Sequence, residues 1–428
     1  MKITKSSDPK FRETLAHIVN RSAEGPAGVE KTVAAIIKNV RAKGDDAVFK
    51  YTKKFDGVSL TPKTVRVTEK QIAAAMRSAS PKVLAALKKA SARIARFHKF
   101  QREGSWKVSD GGAVLGQIVR PLDSVGVYVP GGKAAYPSSV LMNVIPARIA
   151  GVRRVVMVTP APGGAIDPHV LAAASIAGVD EIYRIGGAQA VAALSYGTKT
   201  IARVDKITGP GNAYVAEAKR QVFGVVDIDM VAGPSELLVI ADGAANPAHA
   251  AADLLSQAEH DENAWPILVT TSAAIANRVA KELVRQTRIL PRSGIIEKCL
   301  SANCHAFVAR NLDECFEISN AIAPEHLELL IKDAARYVNR VENAGAVFVG
   351  PWTPEALGDY MAGPNHVLPT GGSARFFSPL GVYDFMKRTS LIAFTQAGFR
   401  KLAAGVMTLA NEERLTAHGA AVAIRLKK

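Results

Sequence analysis

The 428-residue chain predicts an α/β protein built from two blocks of parallel sheet, with small N- and C-terminal segments. Short β-branched runs alternate with Ala-rich helical segments, which implies βαβ units and therefore parallel strands. The alternation occurs as two successive series, which implies two related α/β domains. Composition agrees: 48% hydrophobic and only 6% aromatic residues is the profile of helices packed on parallel sheet, not of a β-sandwich or a disordered chain.

The chain up to about Trp106 reads as helix-rich. Glu30 to Ala42 is amphipathic and stops at Gly44, and Glu69 to Phe100 carries long helical periodicity. The first strand series follows at Ser124 to Val129, Arg154 to Thr159, Glu181 to Ile185 and Arg203 to Ile207. A second series runs through Glu236 to Ala241, Pro266 to Thr271, His305 to Val308 and Ala346 to Val349. Both sheets are expected to present their ligands beyond the carboxyl ends of the strands. From about Gly381 the sequence shows short helical pieces and no strand series, a small appendage suited to reaching another subunit.

Several function classes are set aside at this level. No stretch approaches the roughly 18 unbroken apolar residues of a membrane helix. Met1 to Arg12 is polar and lacks the apolar core of a secretory signal, so the protein is expected to be cytoplasmic and off the membrane. Three sparse cysteines, Cys299, Cys304 and Cys315, argue against a disulfide framework. Cys304-His305, with Cys299 before it, fits no common zinc spacing. The net charge of +16 is drawn largely from helical runs such as Lys82 to Arg102. Basic faces attract phosphate, yet no nucleic-acid module signature accompanies them, and no nucleic-acid partner is expected.

The chemistry-bearing residues fall in a few places. Gln257-Ala258-Glu259-His260-Asp261 closes an apolar helical run, and Gln257 and His260 project from one helical face. Each offers one neutral donor to a divalent cation, whereas zinc usually takes four; Asp359 and His418 are candidates for the others. An isolated Gln-x-x-His is ordinarily polar helix surface, and only its company changes that reading. Glu325-His326, just after Pro324, pairs a carboxylate with an imidazole; on a helix the two point about 100° apart and reach one substrate from neighbouring directions. His titrates near neutrality and a desolvated Glu is raised toward it, so the pair suits general acid–base work. His366 lies in another Pro/Gly loop shortly after Asp359. Glycine-rich turns at Tyr128 to Gly132, Gly186 to Gln189 and Gly209 to Asn212 let a phosphate approach the backbone at a helix start. Turn-making glycines are the competing explanation, since none of these is a G-x-G-x-x-G fingerprint.

Taken together, these motifs closely resemble the histidinol dehydrogenase family: Tyr128-Val129-Pro130-Gly131-Gly132, Tyr136-Pro137-Ser138-Ser139, Gly186-Gly187-Ala188-Gln189, Gly209-Pro210-Gly211-Asn212, Ala232-Gly233-Pro234-Ser235-Glu236, Gln257 to Asp261, Ala323-Pro324-Glu325-His326 and Gly363 to Thr370. The match runs from about Gly44 to the C-terminus. The resemblance implies two Rossmann-like domains, one inserted in the other. It places an N-terminal segment at 1–22, a first domain at 23–127 and 234–380, an inserted NAD-binding domain at 128–233 and a C-terminal dimerisation segment at 381–428. It implies a zinc-dependent enzyme, one ion per subunit, that oxidises L-histidinol to L-histidine through L-histidinaldehyde with two NAD in succession, the last step of histidine biosynthesis. Carried over by position, Gln257, His260, Asp359 and His418 match zinc ligands, and His418 is contributed across a homodimer interface. Glu325 and His326 match the catalytic pair. Ser235, His326, His366 and Glu413 match substrate contacts, joined by the metal ligands. Tyr128, Gln189 and Asn212 match NAD contacts.

One departure stands in the tail, where the family has Glu-Gly-Leu and this chain has Glu413-Arg414-Leu415. Arg414 either pairs with Glu413 or points to solvent. The alternative reading is a paralogous zinc- and NAD-dependent dehydrogenase acting on another small polar or anionic alcohol.

Overall fold

The computed structural model describes residues 1–21, 28–131 and 135–427. The boundary expected between residues 22 and 23, and Gly132 of the first glycine loop, lie outside the described residues. Two compact units are formed, one from Met1–Gln101 with Asp123–Phe385 and one from Arg102–Leu122 with Met386–Lys428. Among the described residues no helix is long and apolar enough to cross a membrane.

The first unit holds two all-parallel sheets, as the alternating series predicts. The five-stranded sheet has the order Glu181–Tyr183, Arg154–Val158, Ser124–Tyr128, Lys206–Thr208, Asp227–Ile228. The six-stranded sheet runs Lys2–Lys5, His305–Val308, Trp265–Thr270, Glu236–Ala241, His326–Leu330, Ala346–Val349. Helices cover both faces of the latter. Along Glu236–Ala241, Leu237 and Val239 pack into one core and Leu238 and Ile240 into the other, all with no exposure. A strand buried on both sides is apolar over nearly its whole length, which is why these runs do not alternate. Each such side chain contributes roughly 1.5–3 kcal/mol on burial.

The helix-rich start is also present. Val29–Lys43 ends at Gly44. The periodicity of residues 69 to 100 divides into Glu69–Ser78, entered through a Thr68/Gln71 capping box, and Pro81–His98. Pro81 takes the first position of the second helix, where its missing N–H costs nothing.

Six strands went unread in the sequence: Lys2–Lys5, Trp106–Asp110, Ala113–Pro121, Asp227–Ile228, His326–Leu330 and Met386–Phe394. Lys2–Lys5 precedes the helix Phe11–Val19 in the segment expected to be helical. His326–Leu330 lies in a stretch weighed as helical. Met386–Phe394 lies in the tail expected to hold no strand series, and it pairs antiparallel with Ala113–Pro121, which pairs in turn with Trp106–Asp110. This small sheet and the helices Gln396–Glu412 and Thr416–Ala423 make up the second unit.

Candidate active site

The candidate site forms at the amino edge of the six-stranded sheet, not at the carboxyl edge expected of an open parallel sheet. A helix joining parallel strands runs antiparallel to them, so its carboxyl end shares an edge with the first residue of the next strand. The helix Pro247–Ala258 thus delivers Gln257 and His260 to the amino edge of the six-stranded sheet, just before Trp265. The helix Leu312–Ile322 ends at Ala323, whose φ of 50° turns the chain toward Glu325 and the strand that opens at His326. The acid–base pair therefore sits at the start of a strand, not on a helix, and at the amino rather than the carboxyl edge.

His326 is fully committed on one side and free on the other. Its Nδ1 lies 2.9 Å from the main-chain oxygen of Glu236. A carbonyl only accepts, so Nδ1 carries the proton and Nε2 the lone pair. That Nε2 is buried without a hydrogen-bond partner among the described residues, 3.8 Å from Asp359 Oδ1. Glu325 Oε2 accepts the Glu236 N–H at 2.9 Å and stands 3.7 Å from His326 Nδ1. Burial pushes the Glu325 carboxyl well above the ordinary carboxylate value, and the neighbouring Glu236 charge pushes the same way. Burial also lowers the pKa of His326, with Asp359 opposing. Burial thus draws the two groups toward one another, raising the carboxyl and lowering the imidazole.

Donor groups for a metal surround it. One ligand atom each from His326, Glu355 and Asp359 lie within 4.8 Å of one another. Glu355 is buried and its pKa is raised well above the carboxylate range by that burial and by Asp359. His260 is held neutral by burial and lies within electrostatic reach of Asp359 and His366. Gln257 has no exposure, and neither atom of its carboxamide finds a hydrogen bond among the described residues. An unsatisfied buried amide costs about 1–3 kcal/mol per group. A cation taken by the Gln257 oxygen removes part of that cost, and amide, imidazole and carboxylate donors suit a first-row divalent ion. His366 is half-buried, and its Nε2 too lacks a partner among the described residues. Ser235 is half-buried immediately before the strand Glu236–Ala241. Glu413 and His418 belong to the second unit, where both are exposed.

The glycine loops gather at the carboxyl edge of the five-stranded sheet, as expected. Tyr128 ends its strand, and its hydroxyl accepts the Gly187 N–H at 3.0 Å. Gln189 is buried in the first turn of the helix Gly187–Tyr196, and its Oε1 has no partner among the described residues. Asn212 is exposed and caps the helix Ala213–Val222, its Oδ1 accepting the Tyr214 and Val215 N–H groups. Gly209 has a φ of +106°, and a Cβ there would lie 2.1 Å from the Tyr128 carbonyl oxygen, so no larger residue fits.

Glu355, Glu236 and Arg21 escaped the sequence reading as site residues. Glu236 was visible only as the last letter of Gly-Pro-Ser-Glu. Glu355 and Arg21 carry no local signal, because their partners lie far away in the chain.

A histidinol dehydrogenase family profile matches residues 19–426. The chain is 54% identical over 428 residues to the histidinol dehydrogenase of Syntrophotalea carbinolica, covering 100% of this chain and 99% of that one. It is 52% identical to that of Geobacter metallireducens, over 100% of this chain and 98% of the relative. The crystal structure of histidinol dehydrogenase from Elizabethkingia anophelis superposes with a TM-score of 0.93 at 36% identity, covering 100% of this chain and 98% of that one. The backbone geometry and the sequence agree, and the chain belongs to the histidinol dehydrogenase family.

Proposed function

We infer that the protein oxidises L-histidinol to L-histidine by way of L-histidinaldehyde, reducing two NAD in succession, at the end of histidine biosynthesis. The observation that carries this reading is the buried Glu325–His326 pair, with the free His326 Nε2 facing Asp359. In the first step His326 Nε2 takes the hydroxyl proton as the carbinol hydrogen leaves as hydride for NAD. Water then adds to the aldehyde, Glu325 taking one water proton while His326 returns the first proton to the carbonyl oxygen, and the hydrate loses a second hydride to the second NAD while the freed His326 Nε2 takes a hydroxyl proton. Burial raises the Glu325 carboxyl, which makes its ionised form a stronger base toward that water than an ordinary carboxylate.

The metal is read as zinc, one per subunit, held by Gln257, His260 and Asp359 with His418 supplied by the second copy of a homodimer. The unsatisfied Gln257 carboxamide supports this donor set. Zinc supplies a template for the substrate's nitrogen atoms and no redox chemistry. Ser235, His366 and Glu413 are read as substrate contacts, and Tyr128, Gln189 and Asn212 as NAD contacts on the inserted domain. The dimer is supported by exposed apolar side chains of the second unit, among them Ile392, Leu402 and Leu409. A cytoplasmic location follows from the biosynthetic role.

The two half-reactions separate the roles. His326→Asn is expected to abolish alcohol oxidation. Glu325→Gln is expected to slow aldehyde oxidation more than alcohol oxidation, by about 100-fold or more for loss of a general base. Equal slowing of both half-reactions by Glu325→Gln removes the water-activating role.

A further inference from the structure

Both members of the catalytic pair are gripped by one residue, Glu236, and Glu236 is gripped by Arg21. The Arg21 guanidinium donates Nε–H to Glu236 Oε1 at 2.6 Å and Nη2–H to Oε2, a bidentate pair with side chains 1% and 2% exposed. Its remaining Nη1 donates to the carbonyls of Ile18 at 2.9 Å and Ile322 at 3.1 Å. Ile322 is the last helical residue before the turn that leads into Glu325. Glu236 Oε1 further accepts the Gly371 N–H at 2.7 Å.

Around that anchor the main chains of 236 and 325 exchange contacts. The Glu325 N–H donates to Glu236 Oε2 at 3.3 Å, and the Glu236 N–H donates to Glu325 Oε2 at 2.9 Å. The Glu236 carbonyl accepts His326 Nδ1–H at 2.9 Å, which fixes the tautomer that leaves Nε2 basic. Two carboxyl groups are thus buried side by side with one guanidinium between Glu236 and the chain behind it. A buried ion pair is a weak source of stability, since apolar replacements of similar volume are often neutral or better. Its value here is directional: a rigid fork holds one carboxylate in one orientation.

We propose that Arg21 and Glu236 are positioning residues for the reaction, the ion pair fixing the Glu236 main chain so that it aims the Glu325 carboxyl and holds the His326 ring in its productive tautomer. The proposal rests on the histidinol-oxidising role given to Glu325 and His326. Its competitor is a tether that only ties the segment after Phe11–Val19 to the sheet.

The test compares the zinc-loaded full-length enzyme with Arg21→Lys, Arg21→Ala and the charge-removing pair Arg21→Met/Glu236→Gln. The double variant leaves no lone buried charge and keeps the experiment meaningful if a single variant fails to fold. Expected for the folded double variant is a fall in kcat of about 100-fold, the scale of a misplaced catalytic group. Its NAD KM and melting temperature should stay close to wild type. Arg21→Lys should recover part of the loss, and guanidinium added to Arg21→Ala should restore turnover. A folded double variant with wild-type kcat, or losses that follow the melting temperature across the set, overturns the positioning role. Absence of L-histidinol turnover in the wild type instead overturns the activity on which the proposal rests.

Discussion

Lys219→Met tests how the Gly209–Asn212 turn, proposed above to meet NAD, is held. Lys219 Nζ and Asp229 Oδ1 form an ion pair whose side chains are 2% and 1% exposed. The pair brackets a single residue: Lys219 Nζ donates to the Gly209 carbonyl at 3.0 Å, and Asp229 Oδ2 accepts the Gly209 N–H at 2.8 Å. Asp229 Oδ1 also accepts the Met230 N–H at 2.7 Å. Lys219→Met removes the cation that, among the described residues, is paired with a carboxylate that water does not reach, and breaking a buried pair in this way costs about 3–5 kcal/mol. Asp229→Asn strands the ammonium and falls in the same range. The double variant leaves no buried charge, so its loss should be smaller than the sum of the two, with a coupling energy of about 2 kcal/mol. Urea unfolding of the four proteins gives the cycle. NAD KM should rise in each variant, since Gly209 begins the turn that Asn212 closes. A cost below about 1 kcal/mol for Lys219→Met, or additive single losses, refutes the reasoning.

Arg414 occupies the left-handed position after the helix Gln396–Glu412, at φ 58°. The Leu415 N–H reaches the Ala410 carbonyl at 2.8 Å and the Arg414 N–H reaches Asn411 at 2.9 Å, a Schellman motif that favours glycine. Arg414→Gly should therefore stabilise by about 1 kcal/mol, the left-handed strain of a side chain less the entropy of glycine, read as a higher urea midpoint. His260→Asn protein is expected to lose the zinc proposed above, and full occupancy by metal analysis removes His260 from the proposed ligand set. Cys299, Cys304 and Cys315 are buried, and burial pushes each thiol up to about 12. Iodoacetamide at neutral pH should leave turnover unchanged; inactivation would point to a thiol step in aldehyde oxidation.

The elements legible in the sequence are those whose burial is local. Glu236–Ala241 reads correctly to the residue because the run after Glu236 is buried on both faces and continuously apolar, and Ala346–Val349, at the edge of the sheet, because its four residues are all apolar. Met386–Phe394 did not, because it is mostly exposed and its partner strand, Ala113–Pro121, lies far back in the chain. His326–Leu330 contains Glu328, a charged residue that argues against a central strand until its partner, the Glu355 N–H at 2.7 Å, is known. In the site, the residue types that perform chemistry were readable from motif and spacing. What orients them was not: Arg21 and Glu236 meet across 215 positions of sequence. The edge at which the site forms was also misjudged, because the general rule concerns strand carboxyl ends, whereas here returning helices bring Gln257 and His260 to the amino edge. The left-handed backbone at position 414 accounts for the glycine of the family motif, and Arg414 is exposed there, with no ion pair to Glu413 among the described residues.

The most direct test of the central claim is the number of NADH formed per L-histidinol consumed by zinc-loaded protein, with histidine quantified in the same reaction. Two NADH and one histidine for each L-histidinol are expected. One NADH with accumulated aldehyde, or no turnover while another amino or anionic alcohol is oxidised, would contradict it.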